Sequence, residues 1–337
     1  MPDPDMSPDT SLTDFLVRNH LAQANEPVQW RPLTGGVSSD IWQVDLPGRS
    51  LCVKRALAQL KVSATWLAPV NRNAYEWAWM NFAIQHCPES VPRPLAHDEA
   101  EGLFAMSFLE PEVHPVWKHK LMAGDVRVET AQAVGDVLGR LHAASACSAA
   151  LADAFETLDN FYALRLEPYL VATATRHPAQ AAALVKLVAR TAGTRRVLVH
   201  GDVSPKNILV GPRGPVLLDA ECAWFGDPAF DLAFCLNHLL LKCLVQSSSK
   251  SKLLASFDSL ARQYLSHVNW EQPASVERRA AHLLPALLLA RVDGKSPVEY
   301  VSQEEAKRLV REVSLPLIDH PVDQLATVAQ AWSRALE

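Results

Sequence analysis

The sequence predicts an α+β protein of two lobes, a small lobe built on an antiparallel sheet and a larger lobe that is mostly helical. Three observations support this prediction. The first third of the chain carries short alternating apolar runs between Gly and Pro turns, which is typical of antiparallel strands. From residue 125 onward, Ala and Leu recur at helical spacing. The length of 337 residues is sufficient for two domains of ordinary size.

The composition is that of a globular protein with a sizeable apolar core, since 49% of the residues are hydrophobic and 20% are charged. The net charge of −5 gives no reason to expect nucleic acid or an anionic membrane as a partner. Six cysteines without a C-x-x-C pair are typical of free thiols in a reducing compartment. The longest apolar stretches, such as residues 283–290, are much shorter than the roughly 20 residues of a membrane span. We therefore expect a cytoplasmic protein without membrane segments.

Three segments organise the chain. Residues 1–11 are acidic and rich in proline, so we expect a flexible tail and not a signal peptide. Residues 12–110 form the strand-rich lobe, and Glu-Pro-Glu at 110–112 marks the change to the helical lobe at 111–337. The pattern predicts strands and one helix in the first lobe, in the order strand 28–33, strand 40–46, strand 50–55, helix 71–85, strand 91–97 and strand 103–109.

The second lobe is predicted to be helical, with a single strand-turn-strand island at 197–219. The clearest helix is 131–146, because Val134, Val137 and Leu141 fall on one stripe of its surface. Further helices are predicted near 229–244, 250–267, 276–291, 303–314 and 322–335.

The island reads VLVHGDVSPKNILVGPRGPVLLDAE and contains a group of acidic and amide side chains. Its apolar, β-branched runs predict three short strands, at 197–199, 208–210 and 216–218. His200, Asp202 and Asn207 then lie on a loop, and Asp219 and Glu221 follow the last strand. Such a set suits phosphoryl transfer, in which one carboxylate accepts the proton of the attacking hydroxyl and oxygen ligands hold Mg²⁺.

The order H-G-D-x-x-x-x-N, D-x-E and G-D-P-x-x-D-L-A resembles the aminoglycoside phosphotransferase and choline kinase family, whose members share the protein-kinase-like fold. The resemblance implies that Asp202 is the catalytic base and that Asn207 and Asp219 are Mg²⁺ ligands, with Glu221 as an additional ligand. ATP and Mg²⁺ are the cofactors that it implies. A chance cluster of turn-favouring Asp and Asn residues is the alternative, and the three motifs in the right order argue against it.

The same resemblance implies structural support from His200 and from Asp231, which would anchor the backbone of the catalytic loop. The chain differs from protein kinases, which carry Arg where Gly201 stands here. Only seven residues separate Asp219 from Asp227, and no A-P-E follows. That span leaves no room for a peptide-docking segment, so the expected substrate is a small molecule with a hydroxyl acceptor.

The first lobe is then expected to bind ATP. Lys54 follows an apolar pair in its strand, and the resemblance implies that it contacts the ATP phosphates. Its natural partner is Glu76 on the following helix; Glu89 is the alternative but lies past the expected helix end. The connector that contains Met106 and Phe108 resembles the kinase hinge, whose backbone would bind adenine.

The turn formed by Gly35, Gly36, Ser38 and Ser39 fits a loop that covers phosphates, but it departs from G-x-G-x-x-G. This departure is the one feature that favours a second hypothesis, a kinase-like nucleotide-binding module without turnover. A residual protein kinase is a third hypothesis, which the short span after the metal-binding segment disfavours.

The acceptor is less well defined by the sequence. Residues placed to contact it are Asp227, Trp224, Arg291 and Arg165. From Lys250 onward, eleven Lys and Arg balance eleven Asp and Glu, which disfavours a polycationic aminoglycoside. The segment RVDGKSP at 291–297 is similar to a late segment of methylthioribose kinases and points to a sugar-like or neutral polyol acceptor. A choline-type acceptor stays open, and the sequence does not set the oligomeric state.

Overall fold

The computed structural model of the protein describes residues 10–33, 39–57 and 71–337. The chain divides into two compact units, with the boundary between Glu110 and Pro111. In the described parts of the chain, no single helix is long and apolar enough to cross a membrane, although one bent helix pair, Pro228–Lys242 with Ser247–Ser266, passes that test by length and composition.

The first unit is built on a five-stranded sheet in which every neighbouring pair is antiparallel. Its strands are β1 Gln29–Pro32, β2 Ser39–Leu46, β3 Arg49–Ala56, β4 Pro94–Asp98 and β5 Leu103–Ser107. The spatial order is β1-β2-β3-β5-β4, and helix α2 at Arg72–His86 lies between β3 and β4 in the chain. Each of these elements overlaps a segment that the sequence predicts.

Helix α1, Thr10–Arg18, covers part of the sheet and was not predicted. Its buried residues Leu12, Phe15 and Leu16 recur at three- and four-residue spacing and join one cluster with Trp42 and Val44 of β2. The helix begins inside the segment 1–11 that the sequence suggests is a tail; residues 1–9 lie outside the described part of the chain.

The second unit is mainly helical. Its longer helices are α4 Val128–Ser145, α8 Ala181–Gly193, α9 Pro228–Lys242, α10 Lys250–Ser266, α11 Pro273–Asp293, α12 Glu304–Asp319 and α13 Leu325–Ala335. Shorter ones are α3 Trp117–Met122, α5 Ala149–Ala154, α6 Leu158–Phe161 and α7 Ala172–Arg176, and a π-helical segment spans Tyr162–Val171. Two antiparallel strand pairs complete the unit: β6 Val197–Val199 with β9 Trp224–Gly226, and the hairpin of β7 Ile208–Gly211 with β8 Gly214–Leu217.

Helix α9 is the centre of the second unit, because all fifteen of its residues are buried. It packs against α10 and α11. Strand β9 precedes it and has three residues, too few for the alternation that identifies a strand, which is why the sequence did not predict it. Because β9 pairs with β6, the start of α9 lies next to the loop that follows β6.

Candidate active site

The loop after β6 is held by the carboxylate of Asp231, near the start of α9. The backbone N–H groups of His200 and Gly201 donate to its two oxygens at 2.7 and 2.8 Å. Nε2 of His142 lies 3.3 Å from the same carboxylate, and Asp231 is fully buried. A buried carboxylate that accepts several hydrogen bonds fixes the backbone around it. The anchoring contact expected of Asp231 is therefore present.

Gly201 lies where no other residue fits. Its φ of +81° is in the left-handed region, and a Cβ built on it would lie 2.6 Å from the carbonyl oxygen of Cys222. Both the backbone conformation and the close approach of the Cys222 segment require glycine. This explains in physical terms why the position after His200 does not carry the Arg of protein kinases.

Asp202 is the central carboxylate of the loop and is 2% exposed. Its Oδ2 lies 2.9 Å from Nη2 of Arg165 and 3.2 Å from Nζ of Lys206. Its backbone N–H donates to Nδ1 of His200 at 3.1 Å. Burial lowers the pKa of His200, against the charge of Asp231, so we assign a neutral ring with its proton on Nε2. Arg165 and Lys206 orient the carboxylate, and the hydrogen bond from the backbone N–H of Asp202 to His200 holds the loop that carries it.

Arg165 reaches the catalytic loop from the π-helical segment, which also contains Pro168. Its Nε donates to the carbonyl oxygen of Gly201 at 2.6 Å, and its Nη1 donates to that of Leu164 at 2.7 Å. Burial opposes its charge, but Asp202 raises the pKa of Arg165 above its usual value. The sequence proposed Arg165 as a substrate contact; the structure instead pairs it with Asp202. No local pattern links the two, since Arg165 and Gly201 are 36 residues apart in the chain.

Three oxygen-bearing residues near the β7–β8 hairpin are the candidates for holding Mg²⁺. Nδ2 of Asn207 donates to the carbonyl oxygen of Asp202 at 3.2 Å, so the amide presents its oxygen elsewhere. The N–H of Leu218 donates to the carbonyl oxygen of Asn207 at 2.9 Å, which brings Asp219 to the same end of the hairpin. Glu221 is 6% exposed, and its carbonyl oxygen accepts a hydrogen bond from a neighbouring side-chain amide.

This donor set fits a hard cation. Amide and carboxylate oxygens are the ligands that Mg²⁺ prefers, and one or two carboxylates suffice because the ion keeps several waters. The described residues contain no group of three His, Cys, Asp or Glu side chains that could hold a metal by themselves. Asp219 has a φ of +68°, a conformation that Asp tolerates better than most residues.

The residues expected to bind nucleotide belong to the first unit. Nζ of Lys54 on β3 lies 2.6 Å from Oε2 of Glu76 on α2, and both side chains are 3% exposed. The structure thus contains the pairing of Lys54 with Glu76 that the sequence predicts. Glu89, the alternative partner, lies beyond the end of α2.

The predicted loop and hinge are described in part. Gly35, Gly36 and Ser38 lie outside the described residues, and Ser39 is buried at the start of β2. Met106 lies in β5 between Cys52 and Pro94 of its two neighbouring strands. The half-buried Phe108 follows the strand in the segment that leads to the unit boundary.

Two of the residues predicted to contact the substrate, Trp224 and Asp227, are buried and have partners within the protein. Trp224 is 1% exposed, and its ring stacks on Phe161 with centroids 4.5 Å apart. Asp227 is also 1% exposed; it accepts a hydrogen bond from the N–H of Ala229 at 3.0 Å and so caps α9. Nε of Arg279 pairs with both of its carboxylate oxygens. The sequence indicated that these two residues follow the candidate metal-binding segment, but it could not indicate that both are buried and already have partners.

Comparison with solved structures identifies the fold as protein-kinase-like. Macrolide 2'-phosphotransferase MphH from Brachybacterium faecium superposes with a TM-score of 0.52 at 18% identity, over 98% of each chain. An amicoumacin kinase, solved with AMP-PNP and Ca²⁺, superposes with a TM-score of 0.55 at 13% identity, over 88% of this chain and 90% of that chain. At these identities the similarity concerns the fold alone.

The sequence defines the family. The model of the phosphotransferase enzyme family matches residues 29–241, so the chain belongs to this family. Methylthioribose kinase from Yersinia pseudotuberculosis is 24% identical over 218 residues, 56% of this chain and 52% of that enzyme. Methylthioribose kinase 2 from Oryza sativa is 24% identical over 220 residues, 57% of this chain and 51% of that enzyme. The chain therefore spans about half the length of the curated relatives that it matches.

Proposed function

We propose that the protein is a small-molecule kinase that transfers the γ-phosphoryl group of ATP to a hydroxyl group of a small metabolite. The observation that supports this most directly is the environment of Asp202. Its buried carboxylate is oriented by Arg165 and Lys206, on a loop that Asp231 holds by two backbone hydrogen bonds. A fixed carboxylate is what a hydroxyl nucleophile needs in phosphoryl transfer, where catalysis is mostly positioning and electrostatic stabilisation.

In the proposed reaction, Asp202 accepts the proton of the acceptor hydroxyl as the oxygen forms a bond to the γ-phosphorus. The bond between the γ-phosphorus and the bridging oxygen breaks, and ADP leaves with that electron pair. Lys206 keeps half of its side chain exposed while it contacts Asp202, so its charge is available to the transferring group. Burial of the carboxylate among the backbone of the loop limits its motion.

Asn207, Asp219 and Glu221 are the residues that would hold Mg²⁺, which would supply charge neutralisation at the phosphates when bound. Lys54, oriented by Glu76, is proposed to contact the ATP phosphates. The structural neighbour that was solved with AMP-PNP and Ca²⁺ supports the use of a nucleotide with a divalent cation.

The acceptor is proposed to be sugar-like. The curated relatives are methylthioribose kinases, which supports a polyol or sugar hydroxyl as the position phosphorylated. A cationic acceptor of the aminoglycoside or choline type is the alternative substrate class that the sequence leaves open. For the aminoglycoside type, it is supported by one structural neighbour, the spectinomycin phosphotransferase APH(9)-Ia.

ADP release with Mg·ATP, measured across pentoses, thio-sugars, sugar acids, amino alcohols and aminoglycosides, tests the proposal. Asp202→Asn and the exposed-residue control Asp153→Asn are measured beside the wild type. We expect acceptor-stimulated release in the wild type and in Asp153→Asn, and its loss in Asp202→Asn. Mg·ATP binding without product from any acceptor would favour the nucleotide-binding module without turnover.

A further inference from the structure

A group of basic side chains in the second unit has no role in the reaction described so far. Lys118 lies on α3, His238 and Lys242 lie one turn apart on α9, Arg291 lies near the end of α11, and Tyr300 follows that helix. We call these five residues the basic cluster.

The phenol of Tyr300 joins the members from α9. Its hydroxyl lies 3.1 Å from Nδ1 of His238 and 3.4 Å from Nζ of Lys242. The ammonium of Lys242 also lies 4.4 Å from the centre of the phenol ring, which is within the range of a cation–π contact. Lys118 pairs with Glu299, the residue before Tyr300.

Two of the cations lack a counter-ion. Lys242 is 1% exposed and Arg291 is 8% exposed, and neither forms an ion pair with a carboxylate in the described part of the chain. Nη1 of Arg291 donates to the hydroxyl of Tyr169 at 2.9 Å and to the carbonyl oxygen of Ser296, while its buried Nε has no hydrogen-bond partner there. A buried cation without a counter-ion is costly, so such a site favours the binding of an anion.

The electrostatics of neighbouring groups lead to the same conclusion. Burial, and then the charge of Lys118, lower the pKa of Lys242 to about 7. Burial, and then the charges of Arg291 and Lys242, hold the pKa of His238 well below its usual value. Among the described residues, Glu299 is the carboxylate that opposes these charges at Lys242, and it is already paired with Lys118. Positive charge in the cluster therefore exceeds negative charge.

The basic cluster is close to the catalytic loop. Lys206, whose Nζ lies 3.2 Å from Asp202, is one of the charges that lower the pKa of His238. The guanidinium of Arg165 lies 6.0 Å from the centre of the ring of Phe234, one turn before His238 on α9. The cluster thus lies along the face of α9 that continues from the residues around Asp202.

We propose that the basic cluster binds an anionic group of the acceptor, a carboxylate or a phosphate, while the hydroxyl of the same molecule is presented to Asp202. The inference rests on the proposed kinase function. It narrows the substrate class to small molecules that carry a carboxylate or a phosphate in addition to the acceptor hydroxyl. Arg291 and Lys242 supply the charge, because an oxyanion can accept hydrogen bonds from both. The same cluster repels the amines of aminoglycosides and the ammonium of choline.

The first test compares acceptors that share their hydroxyls and differ in charge. Ribonate, ribose 5-phosphate, ribose and glucosamine are measured with Mg·ATP, so that the carboxylate and phosphate arms are separate. We expect ribonate or ribose 5-phosphate to give the highest kcat/KM. A higher kcat/KM for ribose or glucosamine than for both anions would overturn the anionic-acceptor proposal and leave the kinase function standing.

Variants locate the anion site. Arg291→Gln and Lys242→Met are compared with Lys295→Gln, a nearby lysine that pairs with Glu167 on the surface. Loss of a charged hydrogen bond is expected to raise KM for the anionic acceptor about 10- to 100-fold in the first two variants. KM for ATP is expected to stay within about twofold, and Lys295→Gln is expected to behave as wild type.

A binding measurement keeps the proposal testable if no acceptor is turned over. With saturating Mg·AMP-PNP and constant ionic strength, inorganic phosphate and ribonate are titrated separately while the thermal midpoint of unfolding is followed. Either anion is expected to raise the midpoint of the wild type and of Lys295→Gln but not of Arg291→Gln or Lys242→Met. Equal shifts in all four proteins, or none in the wild type, would overturn the anion site. If these shifts of the thermal midpoint are present but no acceptor is phosphorylated, the result would count against the kinase function and not against the anion site.

Discussion

At the scale of single residues, the hydrogen-bond partners of Asp202 set what it can do. Arg165 and Lys206 approach one carboxylate oxygen, and the backbone of the loop is held through Asp231. These contacts orient the carboxylate for the role of base that we propose for it. Two cations on a single oxygen orient a carboxylate more tightly than one.

Replacing Asp202 by Asn removes the proton acceptor and keeps the size of the side chain. We expect turnover to fall about 10²- to 10⁴-fold, the usual scale for loss of a general base. The measurement is kcat with the best acceptor, and binding of Mg·ATP by calorimetry is the control that the nucleotide site persists. Near-normal turnover in this variant would remove Asp202 as the base.

Asp219 is the second residue for which a substitution is informative. Asp219→Asn suits its φ of +68°, because Asn tolerates the left-handed region, and it removes the charge that a metal ion needs. We expect nucleotide affinity to lose its dependence on Mg²⁺, measured by titration of ATP with and without the ion. Unchanged Mg²⁺ dependence would contradict the assignment of Asp219 as a ligand.

At the scale of elements, the contact between α4 and α10 depends on a missing side chain. A Cβ on Gly135 would lie 2.5 Å from the carbonyl oxygen of Leu260, so the two helices approach as closely as their backbones allow. The same feature recurs one turn later, where a Cβ on Gly139 would lie 2.8 Å from the side chain of His267. The absence of side chains at Gly135 and Gly139 lets α4 and α10 pack closely.

Gly135→Ala is expected to lower the free energy of unfolding by about 1–3 kcal/mol, because the backbone it would meet cannot move as a side chain can. Gly193→Ala is the matched control: this glycine is exposed at the end of α8 and has open space around it. The control is expected to be neutral or stabilising by less than about 1 kcal/mol. Urea unfolding curves measure both, and equal effects would contradict the close approach.

Local patterns predicted the longer elements other than α8, and they missed several short ones for physical reasons. Helix α4 has a continuous apolar stripe, and the prediction of 131–146 overlaps it almost fully. The π-helical segment has no characteristic period, and Pro168 inside it reads as a breaker. The predicted strand 91–97 begins three residues before the observed β4, which starts at Pro94.

At the scale of the whole molecule, charge is distributed unevenly along the chain. Residues 250–337 carry equal numbers of acidic and basic residues. Arg291 within that range and Lys242 before it are nevertheless buried without a carboxylate partner in the described chain. The charged and titratable groups that face Lys242 are Lys118, Cys235, His238, Arg291, Glu299 and Tyr300. Their combined effect makes stability depend on pH.

The sign of that dependence follows from the lowered pKa. Lys242 has a pKa of about 7 in the folded protein against 10.5 in the unfolded chain, so between these values the unfolded state binds more protons. Stability from this group therefore rises with pH, by up to about 1.4 kcal/mol per pH unit. Below pH 7 both states carry the proton, and the full cost of the buried charge remains.

Lys242→Met removes this contribution and keeps the length of the side chain. We expect the variant to be more stable than the wild type at pH 6–7 and the difference to shrink as pH approaches 10, in the absence of ligand. Unfolding free energies at several pH values give the difference directly, and other titrating groups cancel in it. A difference that does not change with pH would contradict the lowered pKa of Lys242.

The amino-acid sequence by itself determined the chemical groups and their local placement. The spacing of His200, Asp202 and Asn207, followed by Asp219, predicted the loop that we propose to be catalytic, because a loop between two short strands fixes neighbours along the chain. The apolar patterns divided the chain into a strand-rich part and a helical part. The pairing of Lys54 with Glu76 was also predictable, since a strand followed by one helix leaves few partners.

Only the tertiary structure decided which distant side chains share an environment. It paired Arg165 with Asp202, buried Trp224 and Asp227, and brought Lys242 to Tyr300 across 58 residues. Contacts of this kind depend on how helices pack and on which surfaces lose water. A local sequence pattern predicts neither the helix packing nor the buried surfaces, because burial is a property of the assembled core and not of the neighbours in sequence.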